Sequence, residues 1–133
     1  MTGPAPRRLP GWRPLAAALL FSLLATLPST SAAQPMPIMA TVGCVESGDD
    51  GRFHLVRATE PEALQERMPE EPPADTPLGA RTIRLIGTLD EFGVPGRTGH
   101  KVWAKGLLNP ADAGDADLLN LTSITTLSDL CER

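Results

Sequence analysis

An all-β domain is predicted: five strands closing on themselves, with one short helical element between the third and fourth. Two observations carry this. Five stretches alternate apolar and polar residues or concentrate β-branched ones. Gly-, Asp- and Pro-rich turn chemistry bounds them, and no heptad or internal repeat competes.

The elements follow in order. Arg7, Arg8 and Arg13 precede an uncharged apolar run, Leu15 to Leu27, and small residues end at Ser31-Ala32-Ala33. This is the grammar of a signal peptide over residues 1–33, with cleavage before Gln34. The apolar run of 13 residues falls short of the roughly 20 that span a bilayer. A Pro-interrupted lead-in, 34–38, then feeds the first strand, Met39 to Glu46. Ser47 to Gly51 supplies a turn, and Phe53 to Ala58 completes a hairpin. Thr82 to Gly87 is the third strand, His100 to Leu108 the fourth, and Leu119 to Leu127, rich in Thr, the fifth.

Two interruptions separate the strands. Residues 60–80 hold Pro61, Pro69, Pro72, Pro73, Pro77 and many acids. Thr59 and Glu62 have capping-box spacing for a brief helix through Met68, beyond which the chain reads as a mobile acidic loop that packs little. Thr88 and Glu91 repeat that spacing, so a single helical turn is expected there, pinned to the core by Leu89 and Phe92.

Alternation assigns the faces. Phe53 and Leu55, Ile83 and Leu85, and Val102, Ala104 and Gly106 point inward, leaving Lys101, Trp103 and Lys105 outside. Leu119 and Leu121 also point inward, whereas Ile124 and Leu127 are out of phase with them, which places a β-bulge near Ser123. Five strands with a helical element after the third fit an OB-like Greek-key barrel, whose closure removes vulnerable edges.

Several elements also resemble a family of small secreted bacterial OB-fold-like domains of uncharacterised function. They are Gly43-Cys44, Arg84-Leu85-Ile86-Gly87, Gly99-His100-Lys101-Val102 running to Gly106, and Leu121-Thr122-Ser123-Ile124 leading to Leu130-Cys131. The resemblance spans roughly residues 42–131 and implies the fold, not an activity. The Pro-rich insertion departs from the family pattern.

Size and charge narrow the function classes. Residues 34–133 allow one domain with a thin stability margin. Of 12 basic residues three lie in the leader, leaving nine against 16 acidic ones. So acidic a surface argues against nucleic acid and anionic membranes as partners. Cys44 and Cys131 flank the domain, and in an oxidising compartment such a pair forms a structural disulfide. Val42-Gly43-Cys44 stands too far from the apolar run to be a lipoprotein processing box.

Candidate chemistry is sparse. His100, beside a Gly-rich turn, reads as a buried imidazole bonded to a backbone carbonyl, and His54 as solvent-facing. His54, His100, Met36, Met39 and Met68 could suit copper, but without ligand spacing, so no metal or other cofactor is predicted. Asp49 and Asp50 form a turn, not a calcium loop. Gly93, Gly96 and Gly99 lead into a strand and not into a helix N-terminus, which argues for a flexible turn over a phosphate cradle. No nucleophile elbow or carboxylate pair points to catalysis. The Asn120-Leu121-Thr122 sequon lies inside a strand and is discounted.

One surface pattern stands out: Lys101-x-Trp103-x-Lys105 puts an aromatic between two cations on one strand face. Such a face can stack on sugars or on unpaired bases, and the competing reading has Trp103 cover the barrel wall under the lysine stems or pack beneath the Pro-rich loop. The expectation is therefore a periplasmic or secreted, non-enzymatic binding or accessory module of the bacterial envelope. Its partner would be a small ligand, a glycan or an envelope protein. A protein handling metals or small molecules through His and Met is the alternative.

Overall fold

The computed structural model describes residues 3–4, 26–28 and 35–131. The leader expected over residues 1–33 and the cleavage position before Gln34 otherwise lie outside the described residues. The strands belong to the compact unit Pro35–Arg133. It is all-β, with strands β1 (Met39–Ser47), β2 (Phe53–Ala58), β3 (Glu62–Ala63), β4 (Arg81–Ile86), β5 (Lys101–Asn109) and β6 (Asp117–Ser128). One 3-10 turn, Pro95–Arg97, is the only helical element among the described residues. The five expected strands all form, with ends shifted by one or two residues. No helix among the described residues is long and apolar enough to cross a membrane.

All six strands join one sheet in the order β2-β4-β6-β5-β1-β3, and β1 also pairs with β2. The pairings β1–β2–β4–β6–β5–β1 therefore return to their starting strand. A cycle of five cannot alternate direction throughout, so one neighbouring pair must be parallel. That pair is β4–β6, with Arg84 beside Leu118. It is the one departure from the antiparallel pattern the sequence suggests.

The apolar residues that alternation points inward form the principal core: Leu55, Ile83, Leu85, Val102, Ala104 and Leu119 are buried together, with Val45 and Val94. Gly43 is small for a reason, since a Cβ there would lie 3.2 Å from the Ala58 Cα, where β1 and β2 close. Strict alternation would send Arg57 inward after Leu55. Instead the β2–β4 register shifts between Leu55 and Ala58, Arg57 takes a positive φ of 51°, and the small Ala58 enters the core.

The expected bulge in β6 is present. Lys105 pairs with Ser123 but Gly106 with Leu121, so Thr122 is the extra residue, and Ile124 packs on the principal core. A second shift, between Lys101 and Val102, skips Leu127. That side chain joins a different cluster on the opposite face.

The segment 60–80 departs from expectation. No helix follows Thr59; Glu62 and Ala63 instead pair with Ala40 and Met39 as β3. The Thr59 hydroxyl is not a helix cap either, for it accepts from the Val42 amide at 3.0 Å. The segment packs: Leu64 and Leu78 cover Ala40, Val42 and Trp103. Its return is fixed where the Gly79 amide donates to the Arg57 carbonyl at 2.9 Å. Two apolar anchors and these backbone bonds outweigh the solvating effect of its acids.

Between β4 and β5 the chain turns tightly, with the Glu91 amide donating to the Thr88 carbonyl at 3.1 Å and that of Val94 to Leu89 at 3.0 Å. Leu89 and Phe92 pack on the principal core as expected, but residues 88–92 form a turn and not the expected helical one; the 3-10 turn lies later, at Pro95–Arg97. Cys44 and Cys131 lie at disulfide distance, their Cα atoms 5.8 Å apart.

Candidate functional site

Lys101, Trp103 and Lys105 do share the outer face of β5, opposite Val102 and Ala104, but as an exposed binding face the row needs correcting. Trp103 is only 7% exposed and Lys101 only 4%. The insertion covers the row: Leu64 and Leu78 meet the Trp103 cluster, and the Lys101 ammonium donates to the Thr76 carbonyl at 2.5 Å. The Lys105 ammonium lies 4.1 Å from the centre of the Trp103 ring, a cation–π distance. Of the two readings weighed for Trp103, the geometry is that of packing beneath the Pro-rich loop.

The histidine and methionine candidates do not converge. His54 pairs with Glu46 at one end of β1, while Met39 begins the other end. Met36 and Met68 are exposed. Among the described residues no three of His, Cys, Asp or Glu come together as a metal cluster would require. The half-buried His100 fixes its corner through the backbone: its amide donates to the Arg97 carbonyl at 2.9 Å and its carbonyl accepts from Val45 at 3.1 Å. Its imidazole Nδ1 is buried without the expected carbonyl partner.

A different cluster emerges on β2 and β4. The turn 48–52 delivers Arg52, the outward position of β2 carries His54, and the outward position of β4 carries Arg84, which pairs directly with His54. The parallel β4–β6 pairing then lays the loop before β6 alongside. Together these elements line a cleft of about 540 Å³, with Arg52, His54 and Arg84 on one side and Asp112 and Asp115 contributed by the loop. Asp117 steadies the base of that loop: its Oδ1 accepts from the Ala111 amide at 3.0 Å, and its Oδ2 takes the Arg81 guanidinium.

The charges differ in how they are met. Arg81 is answered by Glu60, at 2.9 Å, as well as by Asp117. Arg52 reaches Asp50 at 3.5 Å on the surface. The Asp50 carboxyl is held below its ordinary range, chiefly by the Arg52 backbone N–H it accepts and further by the positive Arg52 and His54 side chains. Among the described residues the Arg84 side chain has no hydrogen-bond or ion-pair partner, and its Nε is buried with no acceptor. A buried guanidinium nitrogen without a partner is costly, and a carboxylate is its best acceptor.

Sequence reading missed Arg52, Arg84, Asp112 and Asp115. The available signal was slight: Arg84 is a cation at an outward strand position between the inward Ile83 and Leu85.

Comparison with protein-family models, with curated proteins and with solved structures finds no match.

Proposed function

We propose that this protein is an exported, non-enzymatic binding module of the bacterial envelope, built on an OB-type barrel and engaging its ligand at the Arg52–His54–Arg84 cleft. One observation carries the reading. In an OB barrel the second and third strands, with the loops joining strands one to two and four to five, form the ligand face. Leaving out the two-residue β3, the second and third strands here are β2 and β4, and the corresponding loops are 48–52 and 110–116. The cleft is lined by these four elements. The cycle of five strands with its single parallel pair supports the same architecture. Export is supported by the leader pattern and by a cysteine pair at disulfide distance, which suits an oxidising compartment.

Photo-crosslinking in the cells that make the protein tests this. A benzophenone side chain replacing Ala116, on the cleft wall, should yield an adduct whose mass identifies a saccharide, peptide or protein. The same group replacing Asp75, outside the cleft, should yield none. Adducts from both positions alike, or from neither, would overturn the assignment of the cleft.

A further inference from the structure

We infer that the cleft recognises a zwitterion: a ligand carrying a carboxylate and, a few bonds away, an ammonium group, as a dipeptide does at its two free ends. The inference rests on the reading of this cleft as the binding site and adds the chemistry of what fills it.

The carboxylate half follows from Arg84. Its Nε is buried without an acceptor, while its strand neighbour Arg81 is answered by two acids. Arg52, which lines the same cleft, adds positive charge, and His54, directly across the β2–β4 pairing from Arg84, offers a further imidazole nitrogen. A planar carboxylate can accept from two guanidinium nitrogens at once, a geometry that a single point acceptor does not use.

The ammonium half follows from the loop. Asp112 and Asp115 contribute to the same cleft, and neither is ion-paired with Arg52, His54 or Arg84. Opposite charges thus line one cleft of about 540 Å³ without neutralising each other. A ligand of purely negative charge, such as a phosphate, would meet repulsion from the aspartates, and a purely cationic one from the arginines. A dipolar ligand satisfies both sides, and the arrangement rejects either half alone.

Glycylglycine, N-acetylglycylglycine and glycylglycinamide form the test series: zwitterion, anion and cation of nearly one size. Each is titrated into isotopically labelled protein recovered from its producing cells, while backbone amide resonances of residues 52–54, 84 and 111–116 are followed. Glycylglycine is expected to shift these resonances saturably, with each blocked analogue binding about tenfold more weakly, the loss of one charge-assisted contact. Arg84→Gln should weaken glycylglycine by a similar factor. Asp112→Asn combined with Asp115→Asn should weaken glycylglycine but leave N-acetylglycylglycine unchanged or tighter.

Equal binding of glycylglycine and N-acetylglycylglycine would overturn the zwitterion assignment, as would no saturable shift from any of the three. Because that series uses the unaltered protein, misfolding of a variant cannot mask the result. A cleft adduct at position 116 in the absence of dipeptide binding would leave the binding-module reading standing and remove only this one.

Discussion

Lys105 and Trp103, two residues apart on β5, meet as a cation–π pair, the ammonium 4.1 Å from the ring centre. The pair belongs to a second, smaller core on the outer face of the sheet, where Trp103 packs with Ala40 and Val42 and is covered by Leu64, Leu78 and Leu127. A ring left 7% exposed contributes through packing, as does the lysine stem over it.

Replacing the ring should therefore cost stability. Trp103→Ala is expected to lower the unfolding free energy by about 3 kcal/mol or more, the usual range for truncating a buried aromatic. Urea denaturation followed by far-UV circular dichroism measures it. A loss under about 1 kcal/mol would show that the insertion lifts away in solution and leaves the ring exposed.

The insertion should prove structural. Residues 70–76 look dispensable by composition, but the Thr76 carbonyl accepts from the buried Lys101 ammonium. Deleting Glu70 to Thr76 removes that acceptor and is expected to cost about 1–3 kcal/mol, the penalty for an unsatisfied buried donor. Lys101→Met in the deleted background should restore part of the loss by removing the stranded charge while keeping much of the side-chain volume. A deletion that leaves thermal stability unchanged would return the segment to its description as a mobile loop.

These two outcomes bear on what the sequence could convey. Val102 and Ala104 alternate with Lys101 and Trp103, and the two faces of β5 were legible from that alone. Which outer residues would be covered was not, because the cover comes from Leu64 and Leu78, 14 positions apart in a Pro- and acid-rich segment. No local period links two such anchors, and the surrounding composition is that of a solvated chain. The bulge at Thr122 was foreshadowed because Leu121 and Ile124 break phase within one strand. The cleft was illegible for a topological reason: Arg52, Arg84 and Asp115 lie about 30 residues apart from one to the next, and only the β2–β4 and parallel β4–β6 pairings bring them together.

Close backbone approach at Gly79 gives a sharper test of the return path. A Cβ there would run into the Ala58 carbonyl oxygen and lie 2.8 Å from the Thr59 Cα, both backbone atoms with little room to move. Gly79→Ala should cost about 1–3 kcal/mol, as overpacking does. Gly96, in the 3-10 turn, has nothing within 4 Å of the equivalent position, so Gly96→Ala should stay within about 0.5 kcal/mol of the parent. Similar thermal midpoints for the two variants would mean that the insertion does not dock on the end of β2 as described.

Reduction of the cysteine pair should be the most damaging single chemical change. Cys44 lies in β1, nearly fully buried, and pairs across the sheet with Lys101. Cys131 follows the end of β6, held also by its amide donating to the Gly99 carbonyl at 3.1 Å. A crosslink between them would span 87 residues, nearly the whole described domain, so the unfolded chain would lose much of its freedom. The chain-entropy model gives about 4 kcal/mol for a loop of that length. For a domain of this size that is a large share of the 5–15 kcal/mol typical of whole proteins. Dithiothreitol is thus expected to lower the thermal midpoint sharply, and Cys44→Ser with Cys131→Ser should reproduce the drop and abolish further sensitivity to reductant. Mass spectrometry of the intact protein under non-reducing conditions supplies the independent check, since an oxidised pair is two hydrogen atoms lighter than two thiols. Two free thiols in protein recovered from its producing cells would remove the crosslink, and with it this account of what holds β1 to the end of β6.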